Sequence, residues 1–226
     1  NVYLAWKQKI TAHTFHSVVV VGSSAFVEQI FLRIGFMLYA IIVAKLGTTA
    51  YATHLICMTL LNMSFSFGDG ISIAASALVG QNLGAKKIDL AKMYAQIGQR
   101  VAFLASTMLF FVFLLGRNTW ISFFSTESEI IAMGANILII MAFTTHIQTA
   151  QLVYNGCLRG AGDSRFVAIV ALISVALVRP IITYVLCFVV EWGLYGAWIS
   201  LLIDQLFRFL SAMKRFYGGK WSQIKL

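Results

Sequence analysis

The fold of this protein is decided by residues 166–190, which read FVAIVALISVALVRPIITYVLCFVV and include one charged side chain, Arg179. A helix that crosses the hydrocarbon of a bilayer needs roughly 20 predominantly apolar residues, because only internal hydrogen bonds satisfy its backbone there. The stretch has both the length and the composition for this. It therefore predicts a transmembrane helix.

Five more apolar stretches extend this prediction over most of the chain. They cover residues 22–44, 52–79, 95–115, 130–158 and 193–213, with polar connections at residues 81–92 and 117–129. We predict an all-α membrane protein that forms a six-transmembrane-helix bundle from residue 22 to residue 213. Residues 1–21 are expected to form a linker, and residues 214–226 a basic tail.

The composition supports a membrane location. Hydrophobic residues make up 60% of the chain and charged residues 11%. In a typical soluble domain, roughly a quarter of all residues are charged. The net charge of +9 raises the question of nucleic-acid binding. However, the Lys and Arg residues lie in short segments between the spans and form no stripe interleaved with aromatic residues. The expected partner is the lipid bilayer, with no nucleic acid.

Basic residues predict the orientation, because short loops rich in Lys and Arg stay in the cytoplasm. One side of the predicted bundle has only Lys45 and Arg117. The other side has most of the basic residues: Lys7, Lys9, Lys86, Lys87, Lys92, Arg159, Arg165, Lys214, Arg215, Lys220 and Lys225. Six spans with both termini in the cytoplasm reproduce this distribution.

Motifs of soluble enzymes and cofactor sites are missing from the sequence. The glycines at positions 80 and 84 are spaced too closely for a phosphate-binding loop, and no Gly-x-Ser-x-Gly or His-Glu-x-x-His motif occurs. The three cysteines, Cys57, Cys157 and Cys187, lie in apolar segments without metal-ligand spacing. We expect no enzyme activity, no cofactor and no metal site.

Two carboxylates inside the predicted spans are the first functional candidates, since ionisable groups in membranes are costly and usually face a cavity or a partner. Glu28 could bind a proton or sodium and meet a cationic substrate, or it could pair with Arg33 as a structural group. Asp69 lies between Gly68 and Gly70, and this triplet is expected to weaken the helix and expose polar backbone groups to a cavity. Alternatively, the glycines only allow close helix packing while Asp69 forms a hydrogen bond with a neighbouring helix.

Arginine and uncharged polar residues complete the set of candidates. Arg179 precedes Pro180, which predicts a kink, and Arg179 and Arg33 are candidate counter-ions for the carboxylates or snorkelling side chains. Other polar side chains could contact a substrate in a cavity or join helices together. They lie in the fourth span: His146, Gln148, Gln151 and Asn155.

Two glycine-containing loops resemble the signatures of a known family. Residues 70–86 read GISIAASALVGQNLGAK and residues 158–165 read LRGAGDSR, and both are similar to cytoplasmic loops of the multidrug and toxic compound extrusion (MATE) family. Each loop follows a span that runs from the outside to the cytoplasm. The signature residues are Gly80, Gln81, Gly84, Arg159, Gly160, Gly162 and Asp163. Their glycines allow tight reversals and close packing without any ligand.

The resemblance implies one lobe of a twelve-helix transporter, with a second six-helix lobe as its partner. Residues 23–29 and 46–50 are similar to the seventh helix and the loop after it, which identifies the C-terminal lobe. The family implies an antiporter in the plasma membrane that exports organic cations, drugs or metabolites in exchange for protons or sodium by alternating access. Some members carry an aspartate in the tenth helix, but the fourth span here has no carboxylate, which favours protons as the coupling ion or a coupling site in the other lobe.

Two other functions stay open at this point. A lipid-linked oligosaccharide flippase shares the wider fold, but it would need a large hydrophilic and cation-rich cavity. A non-transporting membrane assembly subunit would copurify with a stable partner.

Overall fold

A computed structural model describes residues 30–219 and residue 221, and within them every regular element is a helix. The helices follow one another through short turns, as expected for spans that reverse direction at the membrane surface. They are α1 (Ile30–Ala44), α2 (Thr48–Gly84), α3 (Ile88–Leu115), α4 (Arg117–Ser122), α5 (Ser128–Gly160), α6 (Ser164–Val189) and α7 (Gly193–Tyr217). The predicted all-α bundle is confirmed.

Four helices of the described chain are long and apolar enough to cross a membrane: α2, α3, α5 and α6. The described part of α1 is shorter, and α7 carries four charged residues along its 25 positions. The helices are also longer than the predicted spans. Of the expected polar connection at residues 81–92, only residues 85–87 lie outside a helix, because a helix can continue past the hydrocarbon with polar side chains in water.

α6 is irregular near Arg179 and Pro180. Its α-helical turns are interrupted by two π-helical segments, Ser174–Val178 and Val185–Val189. Proline lacks the N–H group that would close the preceding helical turn, so the regular α-helical hydrogen bonding is interrupted there. π-Helical turns of this kind occur frequently at functional sites. The predicted disturbance of this helix therefore takes the form of π-helical turns on both sides of Pro180.

α2 is a continuous helix through Gly68, Asp69 and Gly70, so the expected weakening of the helix at this triplet is wrong. A Cβ atom on Gly68 would lie 2.9 Å from Cδ1 of Leu152 on α5, whereas nothing lies within 4 Å of such an atom on Gly70. The missing side chain at Gly68 thus allows close packing of α2 on α5. Tertiary contacts of this kind compensate for the low helix propensity of glycine.

α5 is the central helix of the bundle. It packs against α2, α3, α4 and α7, and its side chains take part in two buried apolar clusters. One cluster surrounds Leu138 and Met141, and the other surrounds Val153 and Leu158. The three cysteines are free and buried within these clusters or next to them.

Small residues form a seam where the second halves of α2 and α5 cross. A Cβ atom on Gly156 would collide with the backbone oxygen of Ser72, and one on Gly160 would collide with that of Ser76. A Cβ atom on Gly80 would lie 2.9 Å from the oxygen of Gly160. Close backbone approach is how membrane helices gain van der Waals contact. This α2–α5 seam therefore holds the two helices together as a unit.

Candidate functional site

Polar side chains form a stripe along one face of α2. Thr59, Asn62, Ser66 and Asp69 follow one another at spacings of three, four and three residues, which places them on the same side of a helix. The first three are exposed in this lobe and Asp69 is half-buried. The hydroxyl groups of Thr59 and Ser66 donate to carbonyl oxygens one turn earlier in α2. We call these four residues the α2 polar stripe.

The other two members of the stripe lack partners within the described chain. Neither the carboxylate of Asp69 nor the amide group of Asn62 makes a hydrogen bond or an ion pair with any residue that the structure describes. Asp69 lies near the middle of the 37-residue α2. A polar face at this depth is costly in hydrocarbon. The stripe therefore suits a face that meets water or a second polar surface.

A second carboxylate inside the bundle, Asp204 on α7, has the opposite environment. Its side chain is fully buried, and its Oδ2 atom accepts hydrogen bonds from Nε of Arg179 at 3.1 Å and from Arg208 at 2.9 Å. A second guanidinium nitrogen of Arg179 and the hydroxyl of Ser174 also donate to this carboxylate. Both oxygens are thus occupied, and the group has no free position for a ligand.

The guanidinium of Arg179 also contacts α1. Its carbon lies 5.0 Å from the ring centroid of Phe36 and 5.7 Å from that of Tyr39, distances at which a cation is attracted to an aromatic ring. The hydroxyl of Tyr39 donates to the carbonyl oxygen of Ala197 on α7 at 3.2 Å. The buried cluster of Arg179, Asp204, Arg208 and Ser174 therefore joins α1, α6 and α7.

Asp204 and Arg208 are not among the residues that the sequence singles out. Their spacing of four residues within the sixth predicted span was the available signal, since charged side chains at that spacing lie on one helix face. Of the candidate counter-ions, Arg179 pairs with Asp204, whereas Arg33 is exposed on α1 and has no described partner. Glu28 lies outside the described residues, and its role as a coupling carboxylate stays a prediction.

The polar candidates of α5 do not converge on one site. His146 shares a hydrogen bond of 3.0 Å between Nδ1 and the hydroxyl of Ser106, and it lines a groove to which no residue of α2 contributes. Gln148 is buried, and no described residue bonds its Oε1 atom. Gln151 is buried as well, and Asn155 is half-buried. The structure therefore does not bring His146 to the α2 polar stripe.

The two signature loops have the same backbone geometry. In both turns three successive N–H groups bond back to the end of the helix, which satisfies its last carbonyl groups. Lys86 and Gly162 occupy equivalent positions with φ angles of 59° and 84°. In the first loop, the N–H groups of Ala85, Lys86 and Lys87 donate to the carbonyl oxygens of Gln81, Leu83 and Asn82 at 3.0, 2.9 and 2.8 Å. In the second loop, the N–H groups of Ala161, Gly162 and Asp163 donate to those of Cys157, Arg159 and Leu158 at 3.0, 3.0 and 2.8 Å.

The second loop is also tied to the end of α7. Nε of Arg215 donates to Oδ2 of Asp163 at 2.6 Å, and its guanidinium carbon lies 5.0 Å from the centroid of the Phe166 ring. The hydrogen bond to Asp163 raises the pKa of Arg215 above its ordinary value. Asp163 thus fixes the loop between α5 and α6 against the last turn of α7.

Sequence comparisons with known proteins point to one family of transporters. The family model MatE matches residues 24–185. An uncharacterized transporter of Schizosaccharomyces pombe, C4B3.13, is 31% identical over 156 residues, which are 69% of this chain and 29% of that protein. A probable multidrug resistance protein NorM of Thermotoga maritima is 27% identical over 203 residues, which are 90% of this chain and 44% of that protein.

Solved structures agree with the fold. The crystal structure of the eukaryotic MATE transporter AtDTX14 superposes with a TM-score of 0.83 at 16% identity, covering 96% of this chain and 50% of that one. A MOP superfamily transporter from Pyrococcus furiosus gives a TM-score of 0.73 at 17% identity, covering 83% and 43% of the two chains. The chain thus spans half or less of the length of these relatives.

Proposed function

Because this chain belongs to the MatE family, we propose that it forms the C-terminal six-helix lobe of a secondary active transporter that exports organic cations in exchange for protons or sodium. The proposal places this transporter in the plasma membrane, with the signature loops in the cytoplasm and a second six-helix lobe as the partner of this one. The extent of the match, residues 24–185, supports the lobe assignment.

The observation that carries the proposal is the α2 polar stripe. Asn62, Ser66 and Asp69 form a polar surface in the middle of a helix that is otherwise apolar enough to cross a membrane. Polar residues at this depth usually face the interior of a bundle or a water-filled pathway. A second lobe packed around this face would enclose such a pathway. The stripe would then line the route of a polar substrate.

Asp69 would supply the chemistry of exchange. Its carboxylate has no described partner, so it is available to a proton, to sodium or to a cationic substrate. A nearby cation favours the ionised form and burial favours the protonated form, so proton and substrate binding exclude each other. Competition of this kind couples substrate release to proton uptake. Glu28 would act in the same way from the first span.

The charge of the stripe favours a cationic substrate over the alternative of a lipid-linked oligosaccharide. A flippase for a lipid diphosphate needs cations in its cavity, because phosphate groups bind Arg and Lys. The α2 polar stripe carries a carboxylate, and two of the arginines inside the bundle, Arg179 and Arg208, are already paired with Asp204. The stripe therefore fits a positively charged ligand.

Ethidium efflux from cells that express the complete parent transporter tests this proposal. Asp69→Asn removes the charge and keeps the shape, and we expect efflux to fall at least about tenfold, because the amide cannot exchange a proton and a hydrogen bond to a charged group contributes about 1.5–3 kcal/mol. Asp89→Asn is the matched control, since Asp89 is exposed in the first turn of α3. Glu28→Gln is measured alongside, at equal membrane abundance.

Equal efflux by wild type and Asp69→Asn would contradict the role of the stripe and leave Glu28 or the second lobe as the coupling site. If wild type exports no organic cation from a panel of dyes, the flippase alternative gains support. Stable copurification of an unrelated membrane protein in that case would favour an assembly subunit.

A further inference from the structure

A groove runs along the side of the bundle between α3 and α7, over the surface of α5. Two adjoining cavities of about 590 and 290 Å³ form it, and both are lined by Gln99, Arg100 and Tyr154. The larger cavity continues between apolar side chains such as Leu104 and Phe209. We call this feature the α3–α5–α7 groove.

Arg100 is the charged residue of the groove and has no described partner. Its side chain is exposed, and no residue in the described part of the chain forms an ion pair or hydrogen bond with it. In contrast, Arg179 and Arg208 are both paired with Asp204. An unpaired cation inside a span is costly unless its head reaches polar groups at the membrane surface.

The position of Arg100 along α3 allows it to reach that surface. It lies 12 residues after the first residue of α3, which is about 18 Å at 1.5 Å per residue. The 28 residues of α3 span about 42 Å, so the first turns extend beyond a hydrocarbon core of roughly 30 Å. Side chains on a helix tilt toward its N-terminus. Arg100 therefore points toward the end of the bundle that carries the signature loops.

Polar groups surround Arg100 at this end of the groove. Gln96 and the hydroxyl-bearing Tyr217 line the smaller cavity, and the hydroxyl groups of Tyr154 and Tyr217 lie 3.5 Å apart. Nε2 of Gln99 donates to the carbonyl oxygen of Ala150 at 3.0 Å, which fixes the side chain against α5. A guanidinium next to amide and hydroxyl donors is the chemistry that binds phosphate oxygens.

The remainder of the groove suits a hydrocarbon chain. Phe103 is 59% exposed and Leu104 is 69% exposed at its border, and the next turns of α3 expose Met108 and Phe111. This face of α3 is apolar, as a lipid-facing surface is, and so differs from the α2 polar stripe. The groove therefore opens toward lipid, with its charged end near the surface and its apolar end deeper in the membrane.

We propose that the α3–α5–α7 groove binds an anionic phospholipid, with the phosphate at Arg100 and one acyl chain between Leu104 and Phe209. The lipid comes from the leaflet that contains the signature loops. Basic pockets between membrane helices near the surface have the charge that complements such headgroups. The bound lipid fills the space between α3 and α7, which both pack on α5. This site does not depend on the antiport proposal.

Native mass spectrometry of the complete parent transporter, titrated with phosphatidylglycerol, tests the site. Arg100→Gln should weaken phosphatidylglycerol binding about tenfold, because a charge-assisted hydrogen bond is lost. Lys92→Gln is the matched control: Lys92 is an exposed basic residue of the same helix that does not line the groove. Phosphatidylcholine should bind less tightly than phosphatidylglycerol to wild type, and Arg100→Gln should remove that preference.

A second variant keeps the test valid if Arg100→Gln does not fold. Leu104→Trp fills the apolar part of the groove without a change of charge, and it should also weaken phosphatidylglycerol binding. Unchanged binding in both variants would overturn the proposal. Binding of inorganic phosphate that depends on Arg100, together with equal phosphatidylglycerol binding by wild type and Arg100→Gln, would also overturn it, since Arg100 would then hold a free anion and not a lipid headgroup.

Discussion

At the scale of single residues, two aspartates inside the bundle have opposite surroundings. Asp204 receives hydrogen bonds from two arginines and a serine in the interior, whereas Asp69 has no partner within the described residues. A carboxylate whose oxygens all accept hydrogen bonds fixes the neighbours that donate them. One that is unoccupied can exchange ligands. The same residue type thus joins helices in α7 and, in the proposed function, binds ligands in α2.

The buried cluster gives a prediction about stability. Asp204→Asn leaves Arg179 and Arg208 in the interior without an anion, and we expect a loss of about 3–5 kcal/mol, which is typical when one partner of a buried ion pair is removed. Thermal unfolding of the purified complete transporter measures this. Asp89→Asn, at an exposed site, should unfold like wild type. Equal unfolding temperatures for Asp204→Asn and wild type would show that the cluster adds no stability.

At the scale of helices, the α2–α5 seam depends on glycine at positions where a side chain has no space. Gly156→Ala places a Cβ atom against the backbone of Ser72, so α2 and α5 must separate. We expect a loss of about 1–3 kcal/mol, as for overpacked cores. Gly70→Ala is the control, because nothing lies within 4 Å of its Cβ position. Thermal unfolding should rank Gly156→Ala clearly below Gly70→Ala, and the reverse order would contradict the seam.

The exposed faces of the helices predict which positions meet water. In the complete transporter, Ser66→Cys should react with a membrane-impermeant thiol reagent if, as we propose, the α2 polar stripe faces an aqueous pathway. Leu104→Cys, on the apolar face of α3, should remain unlabelled. The three cysteines of this chain are buried and give little background. Labelling of Leu104→Cys but not of Ser66→Cys would contradict this prediction, because water would then reach the apolar face of α3 and not the α2 polar stripe.

At the scale of the whole molecule, we propose that the chain is one lobe of a transporter that needs two lobes. The relatives are about twice as long, and alternating access moves one bundle against another. Vesicles that contain only residues 1–226 should therefore show no gradient-driven uptake of ethidium. Coexpression of the N-terminal lobe should restore it. Uptake by the lone lobe would require homodimers, which crosslinking would detect.

The sequence alone determined the fold class, because the requirement for apolar spans of about 20 residues is local and leaves few alternatives. The two glycine loops determined the family, and the match over residues 24–185 confirms it. Irregular features were harder to predict. Gly68, Asp69 and Gly70 favour a break by propensity, but packing of Gly68 against Leu152 keeps α2 helical.

Only the tertiary structure decided which charges meet. Arg179 is visible in the sequence as a cation within a span, but its partner Asp204 is 25 residues away on another helix, so no local pattern connects them. The sequence also did not show that Arg100 lacks a partner among the described residues. Nor did it show that the α2 polar stripe is exposed, because this depends on how α2 packs against α5. Hydrophobicity acts on each segment separately, whereas pairing and exposure depend on the rotation of every helix relative to its neighbours.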